Sequence, residues 1–306
     1  MIFRRLFQST RHQENKSVIS ILCPVCGDKR KKRIHRNPPV NVVRCLRCNT
    51  IYLNPRFVNS QQHYWDSNLE YVSKKYAKTL ENIQNHPRYL NYQEIVQSLN
   101  QLKPSGRFLD VGAHIGNVLY LARELGYETY GVEPSLSMVT VARDFRKLTI
   151  FHGFLDEAHY PDQFFDIITL IDVLEHVETP KILLQELHRI LKPGGILFIR
   201  IPNGAYEKLK FAFLYPLFGQ HCFDFFATHE HLVHYTQDTL KLQAESQGFT
   251  EIKSVVSAPN LDSSGPVGKW ISSLLYRLAL VIYQLTGRVG CFSSGVSGYF
   301  QKNASS

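Results

Sequence analysis

No uncharged apolar run of about 18 residues occurs anywhere in the chain, which excludes a spanning helix on the sequence pattern. Cysteine is scarce: six in 306 residues are too few for the disulfide framework of a secreted scaffold. Met1 to Phe7 carry two arginines but lead into no apolar core or small-residue cleavage site, so no secretory signal is expected. Acidic residues are nearly missing from one stretch. Residues 1–60 hold 13 Lys and Arg against 2 Asp and Glu, a local charge of +11, while the rest of the chain balances at −2. The net charge of +9 therefore belongs to a small N-terminal module and does not mark the whole chain as a nucleic-acid binder. With 44% hydrophobic and 20% charged residues the chain can bury a core, and its length fits one large domain beside a small one. The reading is a soluble, cytoplasmic protein.

Four of the six cysteines form two pairs, Cys23-Pro24-Val25-Cys26 and Cys45-Leu46-Arg47-Cys48, separated by 18 residues. A Cys-x-x-Cys turn supplies two thiolates from one knuckle, and two such turns complete the tetrahedron that structural zinc requires. With all four positions thiolate, no coordination site stays open for catalysis. Cys222 and Cys291 fall outside this set. The run Lys29 to Arg33 between the pairs reads either as a phosphate-contacting finger or as a solvated loop at the ribbon tip.

From Arg107 onward short apolar runs alternate with amphipathic helices, the pattern of βαβ units and a parallel sheet. Strands are expected over 108–111, 129–132, 149–151, 165–170 and 196–201, and helices over about 116–126, 135–146 and 179–192. A helical pattern from Tyr76 to Leu102 breaks near Pro87 ahead of them. The first strand runs into Asp110-Val111-Gly112-Ala113-His114-Ile115-Gly116, a turn that lets backbone approach a ligand at the strand's carboxyl end. A Gly-x-Gly-x-x-Gly dinucleotide fingerprint fails, because its third position is His114 and its sixth is Asn117. Glu133, in Gly131-Val132-Glu133-Pro134-Ser135, closes the next strand about 20 residues on, where an acid can accept both hydroxyls of a ribose. The fourth strand leads into Asp172-Val173-Leu174-Glu175-His176.

Taken together these motifs resemble the class I S-adenosylmethionine-dependent methyltransferases over about residues 105–256. The resemblance implies an α/β fold: a Rossmann-like seven-stranded sheet with helices on both faces, its last strands near 250–256 and 298–302, behind a small N-terminal zinc ribbon. It implies S-adenosylmethionine as cofactor. Asp110, Gly112 and Gly116 would line its methionine and ribose side and Glu133 would hold the ribose hydroxyls. Pro134, Phe154 and Leu155 would flank the adenine, and Asp172 would also contact the cofactor. Phe154 stands where the family often has an acid, which leaves Asp156 nearest, and His114 replaces a usual glycine. The ribbon with Asn54-Pro55-Arg56, and the later His231-Leu232-Val233-His234-Tyr235-Thr236, are similar to a bacterial subgroup tied to glycan or natural-product pathways.

A hydroxyl acceptor needs a base, and the candidates are His176, His231 and His234, each of which also reads as a structural histidine. Asp172, Glu175 and His176 stand at i, i+3 and i+4, one face of a helical turn. Quinone-pathway O-methyltransferases have a similar patch that binds a divalent metal; the other reading is cofactor contact by Asp172 with helix capping by the rest. Residues 211–226 hold seven aromatics interrupted by Pro216 and Gly219, a poor helix expected to lid the acceptor. Residues 269–286 place Trp270, Ile271, Leu274, Leu275, Leu278, Val281, Ile282 and Leu285 on one arc, expected to pack on the sheet or a partner subunit ahead of peripheral membrane contact. The predicted organisation is a zinc-ribbon module over 1–60, a helical linker over 61–104 and a methyltransferase domain over 105–306, its lid at 204–235. The expected function is methyl transfer from S-adenosylmethionine to a small-molecule, lipid-linked or glycan-pathway acceptor. The alternatives are an RNA methyltransferase that grips nucleic acid with the ribbon and a non-catalytic adaptor that binds the cofactor within a biosynthetic complex.

Overall fold

Short antiparallel strands come first along the chain. The computed structural model describes residues 17–58, 68–218, 225–228, 230–259 and 266–303. After β1 (Val18–Ile19), β2 (Lys31–Asn37) and β3 (Val40–Cys45) form a hairpin, β4 (Ile51–Leu53) adds to β3, and β5 (Arg56–Phe57) returns to β1. The basic run is largely strand and not a loop. Lys31, Lys32 and Arg33 lie exposed on β2, an edge strand, where repeated cations hinder edge-to-edge pairing.

Helices α1 (Leu69–Glu81) and α2 (Tyr89–Leu102) part at Pro87, as the sequence pattern predicts. The expected alternation follows: β6 (Arg107–Val111), α3 (Asn117–Glu124), β7 (Glu128–Glu133), α4 (Leu136–Arg146), β8 (Ile150–His152), β9 (Phe165–Ile171), α5 (Pro180–Ile190) and β10 (Leu191–Pro202). Then come α6 (Gly204–Phe218), β11 (Val233–His234), α7 (Gln237–Glu245), β12 (Phe249–Ser257), α8 (Pro266–Thr286) and β13 (Gly295–Lys302). The seven-stranded sheet has the order β12-β13-β10-β9-β6-β7-β8, with β13 antiparallel to both neighbours and the strands from β10 to β8 parallel. Successive side chains go to opposite faces. Phe108, Ile167 and Phe198 pack with Leu99 of α2 and Leu119 of α3, whereas Leu109, Ile168 and Leu197 pack with Leu184 of α5 and Leu240 of α7. Helices thus cover both faces, which is why the central strands read as unbroken apolar runs.

Three expectations change. First, the ribbon has no core of its own. β11 pairs with β4, Val233 opposite Tyr52 and His234 opposite Ile51, to give a four-stranded sheet β11-β4-β3-β2. Val42, Tyr52 and Leu53 belong to one buried cluster with Leu170, Leu174 and Ile201. The boundary expected at residue 60 therefore crosses a continuous core. Second, the predicted lid begins as helix α6, with Pro216 in its last turn. Phe211 and Tyr215, at i and i+4, set their rings edge-on to His35 at 5.2 and 5.3 Å, and Phe211 meets the buried Phe226 at 5.3 Å. They fill the seam between ribbon and sheet. Residues 219–224, including Cys222 and Phe223, lie outside the described residues. Third, α8 turns its predicted apolar arc outward: Trp270, Leu274 and Leu285 are exposed, and Ala279 is buried.

The continuous core gives a direct expectation. Leu53 is 1% exposed, and Leu53→Ala should cost about 2–5 kcal/mol. Urea unfolding followed by far-UV circular dichroism and by fluorescence should show one transition at lower denaturant. Two separated transitions would mean that the ribbon unfolds alone.

Candidate functional site

Strand order reverses at β6, with β7 on one side and β9 on the other, the point where open α/β sheets receive ligands. A cavity of about 1260 Å³ opens at the carboxyl ends of these strands. Its floor is acidic. Asp110, near the end of β6, is buried, and the Thr169 hydroxyl donates to its Oδ1 at 2.6 Å. Desolvation pushes its carboxyl up to about 7. Glu133 ends β7, accepting from the His114 amide at 2.8 Å and the Ser135 amide at 2.9 Å. Burial raises its carboxyl as well, and the two amides pull the other way.

The turn after β6 needs glycine at Gly112, where φ is +76° and a Cβ would come within 2.5 Å of Val173. Gly112 lines the cavity together with Pro134, Phe154 and Leu155. Gly116 does not. It has φ +74°, its Cβ would run into Leu148, and its role is to let α3 close on the strand layer. His114 and Ala113 line the cavity in its place. The His114 ring meets the Tyr76 hydroxyl at 3.2 Å, and burial pushes it down to about 4.

Asp172 lines the cavity, but arginines hold its carboxylate. Arg88 Nη1 donates at 2.6 Å from the α1–α2 connector, and Arg200 of β10 grips the other oxygen. Burial would raise this carboxyl, yet Arg200 and Arg88 keep it below the usual carboxylate range. With φ at +56° Asp172 is also not helical, so it does not share a helical face with Glu175 and His176. Arg88, His86 and Tyr92 complete a cavity wall that the sequence pattern assigned only to a linker. The break at Pro87 was the available signal.

Of the three candidate histidines, only His176 lines the cavity among the described residues. Its Nδ1 lies 2.8 Å from the Glu230 carbonyl, an acceptor, so Nδ1 carries the proton and Nε2 the lone pair. His231 packs against His176 with ring centroids 4.9 Å apart, and burial pushes it down to about 4. His234 is buried against Phe226 and pushed down to about 3 by the same cause, which makes it a neutral packing residue. Ligand atoms of Glu175, His176 and His231 all lie within 4.8 Å of one another. Both oxygens of the Glu175 carboxyl are buried without a hydrogen-bond partner, and desolvation followed by the charge of Asp172 raises it well above the usual range.

Away from the cavity, Cys23, Cys26, Cys45 and Cys48 gather at the ribbon tip. Their Sγ atoms lie within 4.8 Å of one another, with 3.5 Å from Cys23 to Cys48 and 3.5 Å from Cys26 to Cys45.

Comparison with known proteins agrees with this geometry. A family profile described as "Methyltransferase domain" matches residues 76–254. Among curated relatives, phosphoethanolamine N-methyltransferase 1 of Arabidopsis thaliana is 32% identical over 35% of this chain and 23% of its own length. A ubiquinone biosynthesis O-methyltransferase of Histophilus somni is 25% identical over 59% of this chain and 79% of its own. The chain thus spans under a quarter of the first relative and about four fifths of the second. A chain from the Haloferax volcanii complex of a methyltransferase with its activator superposes with a TM-score of 0.51 at 14% identity, over 77% of this chain and 98% of that one, a likeness of fold. The profile takes in more than half of the sequence and ends within β12, so it covers the five parallel strands β6 to β10, the switch point and both acids; on that ground the chain belongs to the S-adenosylmethionine-dependent methyltransferase family.

Proposed function

We propose that this protein transfers a methyl group from S-adenosylmethionine to a small-molecule, lipid-linked or glycan-pathway acceptor. The observation that carries the reading is one cavity whose lining joins two buried acids on adjacent strands, Asp110 and Glu133, with His176. Its volume of about 1260 Å³ exceeds the roughly 300–1,000 Å³ of a site for one drug-sized ligand, which leaves room for a second molecule. The residues fit the cofactor. A desolvated carboxylate at Asp110 suits a cationic amino acid moiety, and Glu133 keeps lone pairs for a ribose diol after accepting two amides. Phe154 and Leu155 offer apolar surface to a planar base. S-adenosylmethionine supplies a sulfonium-activated methyl; the chain's own work is to align the acceptor, exclude water and take a proton. His176 Nε2 is placed to accept that proton from a hydroxyl. The relatives' names include both O- and N-methyltransferases, and a histidine base in the cavity lining favours an oxygen acceptor here.

A divalent cation held by Glu175, His176 and His231 is the second reading, favoured by the buried Glu175 carboxyl, which has no hydrogen-bond partner and faces His176 Nε2 at 3.9 Å. Asp172 takes no part in it, since two arginines hold its oxygens. We further propose that the four clustered thiols hold one structural zinc within the module at 1–60. A zinc–sulfur distance of about 2.3 Å implies edges near 3.8 Å, close to the spacing present.

Glu133→Ala should weaken S-adenosylmethionine binding by about 10- to 150-fold in calorimetry. Asp110 adds a pH dependence. With its carboxyl at about 7 in the free protein, acidification neutralises it, so affinity for a cationic cofactor should rise as pH rises through about 7. Asp110→Asn should flatten that profile, and an unchanged profile would remove Asp110 from the site.

His176→Gln should lower methyl transfer by about 10²- to 10⁴-fold while cofactor affinity stays within a few-fold. Washing with EDTA and then returning one equivalent of zinc for the cysteines decides between base and cation: transfer restored by that zinc alone supports the base, and transfer that also needs added magnesium or manganese supports the cation.

Cys23→Ser should lose the one zinc found per chain by metal analysis. Because β4 also carries β11, transfer should fall with it while cofactor affinity holds. Retained zinc would refute the ligand set.

A further inference from the structure

Helix α8 presents apolar side chains to the outside. Trp270, Ile271, Leu274, Leu278, Val281 and Leu285 recur at helical spacing on one side and are 42–80% exposed. The opposite side holds the helix to the protein: Ala279 is fully buried there, and β12 runs alongside. Polarity is therefore inverted from that of an ordinary surface helix, with Ser272 and Ser273 half-buried while the stripe faces out. Charge of one sign accompanies the stripe. α8 contains Lys269 and Arg277 and no acid, and no Asp or Glu follows Asp262 in the sequence. Arg277 is exposed beside Leu274 and Leu278. Among the described residues no helix is long and apolar enough to cross a membrane, so a spanning role is closed to α8.

Two occupants could cover such a stripe. A helix of 21 residues is about 32 Å long, and a strip about 10 Å wide along it offers roughly 300 Å², well below the ~800 Å² each partner gives to a stable protein interface. Pairing two copies through it would also bring like charges together. An anionic bilayer matches every feature: aliphatic side chains enter the acyl boundary, an indole lies at the interface, and the exposed Arg277 meets headgroups. We infer that α8 docks this protein on the surface of an anionic lipid bilayer, lying in the interface along the stripe from Trp270 to Leu285.

The test uses the full chain with vesicles of phosphatidylcholine containing about 30% phosphatidylglycerol, against vesicles of phosphatidylcholine alone. The protein should co-sediment with the anionic vesicles and be released by high salt. Leu274→Glu/Leu278→Glu should lower partitioning by about tenfold or more, and Arg277→Glu should weaken binding to the anionic vesicles only. The chain has two tryptophans, so Trp65→Phe leaves Trp270 as sole reporter, and its emission should move to the blue when anionic vesicles are added. This arm holds even if the double glutamate variant fails to fold. Absence of binding, equal partitioning of wild type and a folded double variant, or unmoved Trp270 emission would each overturn the proposal. So would a dimer in sedimentation velocity that the double variant dissolves, which would assign the stripe to a second copy.

Discussion

The reversal of strand order at β6 governs the rest of the site. β7 must lie on one side of β6 and β9 on the other, so the loops leaving β6 and β9 diverge and cannot close the gap between them. Parallel strands bring their carboxyl ends to that gap together, which is why Asp110, Glu133 and Asp172, far apart in sequence, border one cavity. The walls are close at the floor. At Gly112 even a methyl group would collide with Val173, so this turn tolerates only glycine at a φ of +76°.

Burial dominates the electrostatics of this crevice. Desolvation raises Asp110, Glu133 and Glu175 and lowers His114 and His231, and all of these shifts favour neutral forms. Asp172 departs from the pattern because it has two cationic partners. That ion triad fastens the α1–α2 connector, through Arg88, to the ends of β9 and β10. Asp172 and Arg88 are half-buried and Arg200 is buried, so removing one partner should cost more than losing a fully exposed ion pair. The cavity wall formed by His86, Arg88 and Tyr92 is thus held in place by a carboxylate that itself lines the cavity.

What the sequence disclosed and what it hid divide along the range of the interactions. The central strands were legible because strands covered on both faces are continuous apolar runs punctuated by Gly and Pro, and the seven-stranded sheet has the elements where the pattern placed them. The two cysteine pairs were legible because each pair is local. β11 was not: two residues, Val233 and His234, become a strand only because β4 offers an edge, and nothing in their own pattern says so. α6 was hidden by Pro216 and by aromatics that suggest an exposed lid, until Phe211 and Tyr215 find His35 on the ribbon. The two arginines on Asp172 were hidden because Arg88 lies 84 positions away and Arg200 lies 28 away, distances over which sequence alone carries no signal.

A chain of backbone hydrogen bonds gives the ribbon a place in the cavity. Leu53 of β4 donates its amide to the Leu232 carbonyl at 3.0 Å, and Leu232 donates to the Glu175 carbonyl at 2.8 Å. One residue before Leu232 lies His231, and one before that Glu230, whose carbonyl receives the His176 Nδ1 proton at 2.8 Å. The orientation of the His176 ring is therefore set by a segment that is itself held in register by the ribbon's strand. A single misplaced ångström at a reacting group can cost about a hundredfold in rate, so loosening the cysteine knuckles would reach His176 without disturbing Asp110 or Glu133 on the sheet. Through these bonds a module with four clustered cysteines and a strongly basic edge is built into the same unit as the sheet: it shares the core below and sets the His176 side of the cavity above.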